Sequence, residues 1–202
     1  MKRKLSKLIL VTLVSSAMFA ERISIAVNPG EAYSNRAPQL AAWIEDSEGN
    51  FVDTLFVTKK ASGNKWIGSP KNGRPEALPD WYRAKGQNPA VKIPKEELDA
   101  TTRATPKKGI VIEKDLPLEK GKSYIFKCQA NQSFDYNEYY TKKNSGVDGQ
   151  PAVLYCGELV ADGTEKEISL EFSGSGENLT TADKIIESIY IVVKKKTGEP
   201  EN

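Results

Sequence analysis

Apolar and polar side chains alternate with a period of two along much of this chain, in runs bounded by Gly, Pro, Asn and Asp. Successive side chains of an extended strand point to opposite faces, so each run predicts a half-buried antiparallel strand. Arg22–Asn28 alternates Ile23, Ile25 and Val27. Gln39–Glu45 and Phe51–Thr58 flank Asp46-Ser47-Glu48-Gly49-Asn50, a polar, glycine-containing stretch suited to a hairpin turn. Gly109–Lys114 is a further short strand, and Leu116–Gly121 turns the chain into Ser123–Ala130, where Tyr124, Phe126, Cys128 and Ala130 share a face. Ala152–Val160 and Glu165–Phe172 flank the tight turn Ala161-Asp162-Gly163-Thr164 and predict the clearest hairpin. Ile186–Lys194 completes the set with Ile189, Ile191 and Val193 on one side. About eight strands with turns at this spacing predict a mostly β chain, folded as a single antiparallel β-sandwich.

The rhythm breaks at residues 59–108, an insertion carrying Trp66, Trp81 and several prolines. Pro79 to Lys85 predicts a short helix, with Pro in its first turn and Gly86 as its stop. Leu78, Trp81 and Tyr82 then share one helical face, and a second helical turn is expected from Pro94 through Glu97 and Leu98. Such a segment is expected to pack across the sandwich, covering an edge or an open end.

The first residues read as an export signal. Lys2, Arg3, Lys4 and Lys7 precede an apolar run, Leu8 to Val14, too short to span a bilayer, and small residues follow at Ser15, Ser16, Ala17 and Ala20. A signal peptide over residues 1–20 is expected, with cleavage between 17 and 20. The remainder, residues 21–202, forms one sandwich domain with no integral membrane segment. Removing the signal also changes the charge. The full chain has 29 basic and 27 acidic side chains, and the signal takes four of the basic ones. The mature chain is therefore slightly acidic, its lysine pairs are scattered, and a nucleic-acid surface is not expected.

The chain contains no histidine, which removes the usual general base, the Ser-His-Asp and Cys-His nucleophile systems and the commonest metal ligand. Two cysteines exclude a four-thiolate metal site, and no phosphate-binding glycine loop is present. No catalytic constellation emerges, so the chain is read as a non-enzyme with no metal. Cys128 and Cys156 each lie in an expected strand with apolar neighbours. In an oxidising compartment they would pair, a bridge worth about 3 kcal/mol through the unfolded state; two buried thiols are the alternative. Glu45 to Asn50 resembles a calcium loop only superficially, because it lacks the closing bidentate Glu. Phe134-Asp135-Tyr136-Asn137-Glu138-Tyr139-Tyr140 offers either aromatics for a sugar or protein partner, or rings folded back on the core.

Several segments resemble a family of predicted bacterial periplasmic proteins of unknown function. Ala41-Ala42-Trp43-Ile44-Glu45-Asp46 with Gly49-Asn50-Phe51-Val52 is similar to its opening hairpin, and Leu78-Pro79-Asp80-Trp81-Tyr82-Arg83 to its Trp-Tyr helix. Asp99 to Pro106, Gly121-Lys122-Ser123-Tyr124 and Gly149 to Tyr155 resemble later segments, so the likeness spans roughly residues 23–193. The resemblance implies a sandwich of immunoglobulin-like or flagellar-hook-cap-like kind. It also implies genes placed near periplasmic redox membrane proteins and a transferase that attaches FMN to threonine. The acceptor pattern of such transferases resembles Asp99, Thr102, Ala104 and Thr105 here, with Arg103 in place of its glycine.

Three functional expectations follow. The first is a periplasmic or secreted accessory protein, without a cofactor, that binds a protein or small ligand. Its surface would come from the insertion (Trp66, Trp81, Tyr82) or the aromatic loop (Tyr136, Tyr139, Tyr140). The second is an electron-transfer module carrying covalent FMN on Thr105. The third is a carbohydrate-binding module.

Overall fold

The computed structural model describes residues 18–33, 38–59, 61–62, 74–86, 102–103, 109–174 and 176–195. Among these residues, ten strands form two sheets. In one, the order β5 (Ile110–Glu119), β1 (Met18–Pro29), β10 (Ile186–Lys195), β8 (Lys166–Ser169) is wholly antiparallel. The other has six strands: β4 (Thr102–Arg103), β3 (Phe51–Thr58), β2 (Gln39–Asp46), β6 (Ser123–Asn131), β7 (Val153–Val160) and β9 (Glu171–Gly174). Among the described residues, only the short β3–β4 pair is parallel. The inner faces meet in one core, where Ile23, Ile25 and Val27 join Ile189, Ile191 and Val193 against Leu40, Phe126 and Cys128. The alternation legible in the sequence is thus the packing of two layers.

Within the described residues β1 runs from Met18, with Met18 paired to Glu119 and Ala20 to Pro117. Residues 1–17 lie outside the described residues.

Three local expectations are corrected. The turn placed at Leu116–Gly121 begins later, because β5 continues through Pro117 to Glu119. β5 is an edge strand of its sheet, so a residue lacking an N–H costs the ladder nothing on the open side. The Ala152–Val160/Glu165–Phe172 hairpin is divided. After the Asp162–Thr164 turn, β8 pairs with β10 in the opposite sheet, and only β9 returns to pair with β7. Leu170 is the corner: its buried side chain enters the core and its N–H bonds Ile189 O at 2.9 Å. One apolar-polar run therefore serves both sheets in turn.

The third correction concerns Cys128 and Cys156, which are free thiols. On the adjacent strands β6 and β7, Cys128 stands opposite Tyr155 and Cys156 opposite Lys127. That offset of one residue puts the two side chains on opposite faces of the sheet. Cys128 is wholly buried in the core, and burial pushes its thiol up to about 12, whereas Cys156 is half-buried on the outer face. Without reductant, a thiol reagent near neutral pH should label Cys156 alone in the native protein and both cysteines after unfolding. An unfolded, unreduced chain with no reactive thiol would contradict this register.

Residues 74–86 of the insertion roof the outer face of the six-stranded sheet. α1 (Pro79–Ala84) forms as the sequence predicts, and Gly86 follows it at φ +62°. Leu78, Trp81 and Tyr82 pack with Ala41, Trp43, Val57 and Ala61 in a second apolar cluster. Every residue of β2 from Gln39 to Glu45 is consequently buried, on both faces. No side chain of α1 caps its start. Instead Gln129 of β6 accepts from the N–H groups of Asp80 (3.1 Å) and Trp81 (3.3 Å) and donates to Asp80 Oδ2 (2.6 Å). Trp81 Nε1 donates to Thr54 Oγ1 at 3.1 Å, and Tyr82 Oη to Ala61 O at 2.7 Å. The second helical turn expected after Pro94 lies outside the described residues.

Candidate functional site

The segment joining β6 to β7 is long for a hairpin connection and is tied down along its length. Asn137 Oδ1 accepts from the N–H groups of Tyr139 (2.9 Å) and Tyr140 (2.8 Å), an Asx-type turn. α2 (Lys142–Ser145) follows, its entry held by Thr141 N–H to Asn144 Oδ1 at 2.7 Å. Two phenols act as tethers. Tyr136 Oη donates to Gly146 O at 2.6 Å, and Tyr140 Oη reaches across to Glu177 O at 2.8 Å.

Beneath the loop lies a polar layer in place of a greasy one. Gln150 is almost fully buried; its Nε2 donates to Thr181 Oγ1 (2.5 Å) and its Oε1 accepts from Thr180 N–H (2.8 Å). Asn131 Nδ2 donates to Gln150 O at 2.9 Å, and Thr181 Oγ1 to Asp135 Oδ1 at 2.7 Å. Arg74, from the insertion, donates to Ser133 Oγ at 2.6 Å and pairs with Asp148. Its burial lowers the guanidinium pKa from the ordinary value, and the Glu76 carboxylate counters that shift. Arg74 thereby fastens the insertion to the loop, and the network fixes one loop geometry, with Asn131 Oδ1 and Asp135 Oδ2 buried and without a hydrogen-bond partner among the described residues.

This bracing holds Phe134 in an unusual state. Its backbone has φ +62°, a left-handed conformation costly for a bulky side chain. The N–H of Phe134 donates to Val147 O at 2.9 Å, while Gly149 packs directly on the backbone of Asp135. The outcome is exposure: Phe134 is 47%, Val147 46% and Tyr139 51% accessible. The Phe134 and Tyr136 rings meet edge to face at 6.4 Å, so the first part of the patch is contiguous.

Of the residues singled out from sequence, the structure brings Tyr136, Tyr139 and Tyr140 together on this loop, with only Tyr139 largely exposed. Trp81 and Tyr82, expected at a ligand surface, are instead 1% and 3% accessible and form the underside of the roof over β2. Burying them covers Trp43 and Ala41, apolar residues that would otherwise face water. Trp66 and Thr105 lie outside the described residues; β4, two residues before Thr105, pairs with the edge of β3. Sequence reasoning included Phe134 in the aromatic stretch without naming it as a surface residue, and missed Val147 as its exposed neighbour and Arg74 and Gln150 as the braces. The one available signal was a polar, aromatic-rich stretch too long for a turn. Among the described residues no cluster of three His, Cys, Asp or Glu is placed to hold a metal, and no helix is long and apolar enough to cross a membrane.

Two layers, one roofed by part of an insertion, with a braced aromatic loop between β6 and β7, define a β-sandwich scaffold. The chain belongs to the family described as "Predicted periplasmic protein (DUF2271)", which matches residues 20–123, from β1 to the first residue of β6. The protein is accordingly periplasmic. No curated protein and no solved structure matches the chain. The aromatic loop lies beyond the matched segment.

Proposed function

We propose that this is a non-enzymatic periplasmic accessory protein that docks a protein partner through the exposed Phe134, Tyr139 and Val147 of the β6–β7 loop. One observation carries the reading: Phe134 is held in a strained backbone conformation and nevertheless faces solvent. A bulky ring held at a left-handed position and turned to water is expected where a surface has been shaped for contact. Aromatic anchors that leave water at little conformational cost suit a protein interface.

Phe134→Gly should raise stability by about 1 kcal/mol, because relief of the left-handed strain outweighs the added freedom of the unfolded glycine. The same change should abolish docking. Urea unfolding measures the first. For the second, a photo-crosslinking residue at position 139 in periplasmic protein should give a discrete adduct that Phe134→Gly removes. A crosslinker at the exposed Val111 on β5 serves as the control. Lower stability in Phe134→Gly, or the same adducts from both positions, would defeat the proposal. Retention on glycans that Tyr139→Ala abolishes would move the assignment to a carbohydrate-binding module.

A further inference from the structure

Away from the loop, the sandwich opens where its strands fork. β8 pairs with β10 only over Tyr190–Val193, and β9 then departs to pair with β7. Between the diverging strands lies a cleft of about 350 Å³. Tyr155, Leu170, Glu171, Phe172, Asp183 and Glu187 line it, drawn from four separate segments.

Three features of this cleft belong together. Its aromatic wall is the edge-to-face pair Tyr155–Phe172, with ring centres 5.8 Å apart, and Phe172 is half exposed. Its acidic rim is Glu171, Asp183 and Glu187, all exposed at the surface. None of these carboxylates takes part in an ion pair or side-chain hydrogen bond among the described residues. The third feature is Tyr155 itself. It is 6% accessible, yet its buried phenolic oxygen has no hydrogen-bond partner. Burial, aided by Cys128 and Asp183 nearby, pushes this phenol up to about 12, so it is a neutral hydroxyl with lone pairs to offer. A buried hydroxyl left unmatched costs stability unless something bonds it.

Positive charge is what this arrangement lacks. The carboxylates do not converge as metal ligands do. The remaining fit is an organic cation, whose charge is attracted by the rim and by aromatic faces, and whose stem packs on Leu170 and Phe172. Acceptors on several sides suit a compact ammonium, with donors in three directions, better than a planar guanidinium fork. We propose that the cleft between β9 and the start of β10 binds a primary alkylammonium group, with Tyr155 Oη as its buried acceptor and Glu171, Asp183 and Glu187 as its counter-charges. The group arrives either on a free diamine or as the lysine side chain of a polypeptide.

The full chain, processed in the periplasm, is titrated by amide NMR with 1,5-diaminopentane, with N-acetyl-lysine methylamide and with 1-pentanol as neutral control. Saturable shifts at Tyr155, Glu171, Phe172, Asp183 and Glu187 are expected with at least one amine, weakened by salt. The doubly neutralised variant Asp183→Asn/Glu187→Gln should lose about fivefold or more in affinity, these groups being exposed and outside any ion pair among the described residues. Tyr155→Phe, which keeps the ring packing, should bind about threefold more weakly. Tighter binding of the diamine assigns the source to free amines, and tighter binding of the lysine derivative to a protein. No saturation by either amine up to about 20 mM, or equal binding of pentanol, would overturn the proposal. Unchanged affinity in the doubly neutralised variant would overturn it too. Phe134→Gly, which alters an exposed ring away from the cleft, should leave this titration unaffected.

Discussion

Trp81→Ala should destabilise the protein by about 3–5 kcal/mol, the range for deleting a large aromatic from a packed interior. Trp81 is 1% accessible and lies over Trp43 and Val57, and its indole N–H is satisfied by Thr54. Truncation leaves a cavity, an unpartnered Thr54 hydroxyl and a helix held by one anchor fewer. Chemical unfolding gives the magnitude. Binding of a hydrophobic dye to the still-folded variant would show that the outer face of β2 has been uncovered. A loss below about 1 kcal/mol would mean that α1 is an ornament on the sheet and not its roof. The contrast with Phe134 is informative, since both are large aromatics in non-strand segments. Removing the buried one should weaken the fold, and removing the exposed one should strengthen it.

The second large effect is expected at Gly149. Its φ of +70° already disfavours any side chain, and a Cβ there would stand 2.5 Å from the carbonyl oxygen of Asp135 and 2.7 Å from its nitrogen. Both obstacles are backbone, which cannot swing aside as the tip of a lysine would. Gly149→Ala should therefore cost at least about 2 kcal/mol, from conformational strain together with displacement of the Asp135 segment. The damage should be local in kind. Gln150 N–H bonds Asp135 O at 2.8 Å, and Asp135 receives the Thr181 hydroxyl, so loop and polar layer move together. Amide spectra should show shifts across 133–150 and 178–182 while the β1–β10 ladder is preserved, and docking through Phe134 should be lost. An alanine variant of unchanged stability would show that the close approach is not what sets the loop.

Both residues illustrate how far local sequence reaches. The helix at Pro79 was legible because its signals are local: Pro at the start, Gly after the end, and apolar residues at i, i+3 and i+4. Its destination was not, because a roof over a sheet is a relation between segments distant in the chain. Trp81 therefore read equally as a ligand-stacking ring. The cysteines show the same limit more sharply. Each was correctly placed on a strand, but a bridge depends on which residues stand opposite one another, and a one-residue step in register reverses a side chain's face. The cleft at Tyr155 was invisible for a related reason, since it exists only where one continuous run divides between two sheets.

The order of side chains alone determined that this chain forms extended strands with one greasy face, and it ruled out histidine-dependent chemistry. Those properties are local or compositional, governed by a two-residue period and by which groups are present. Tertiary structure alone decided which face of the six-stranded sheet is roofed, which cysteine is hidden, and which aromatic meets solvent. Burial and register are set by partners far away along the backbone, and no short stretch of residues encodes them by itself.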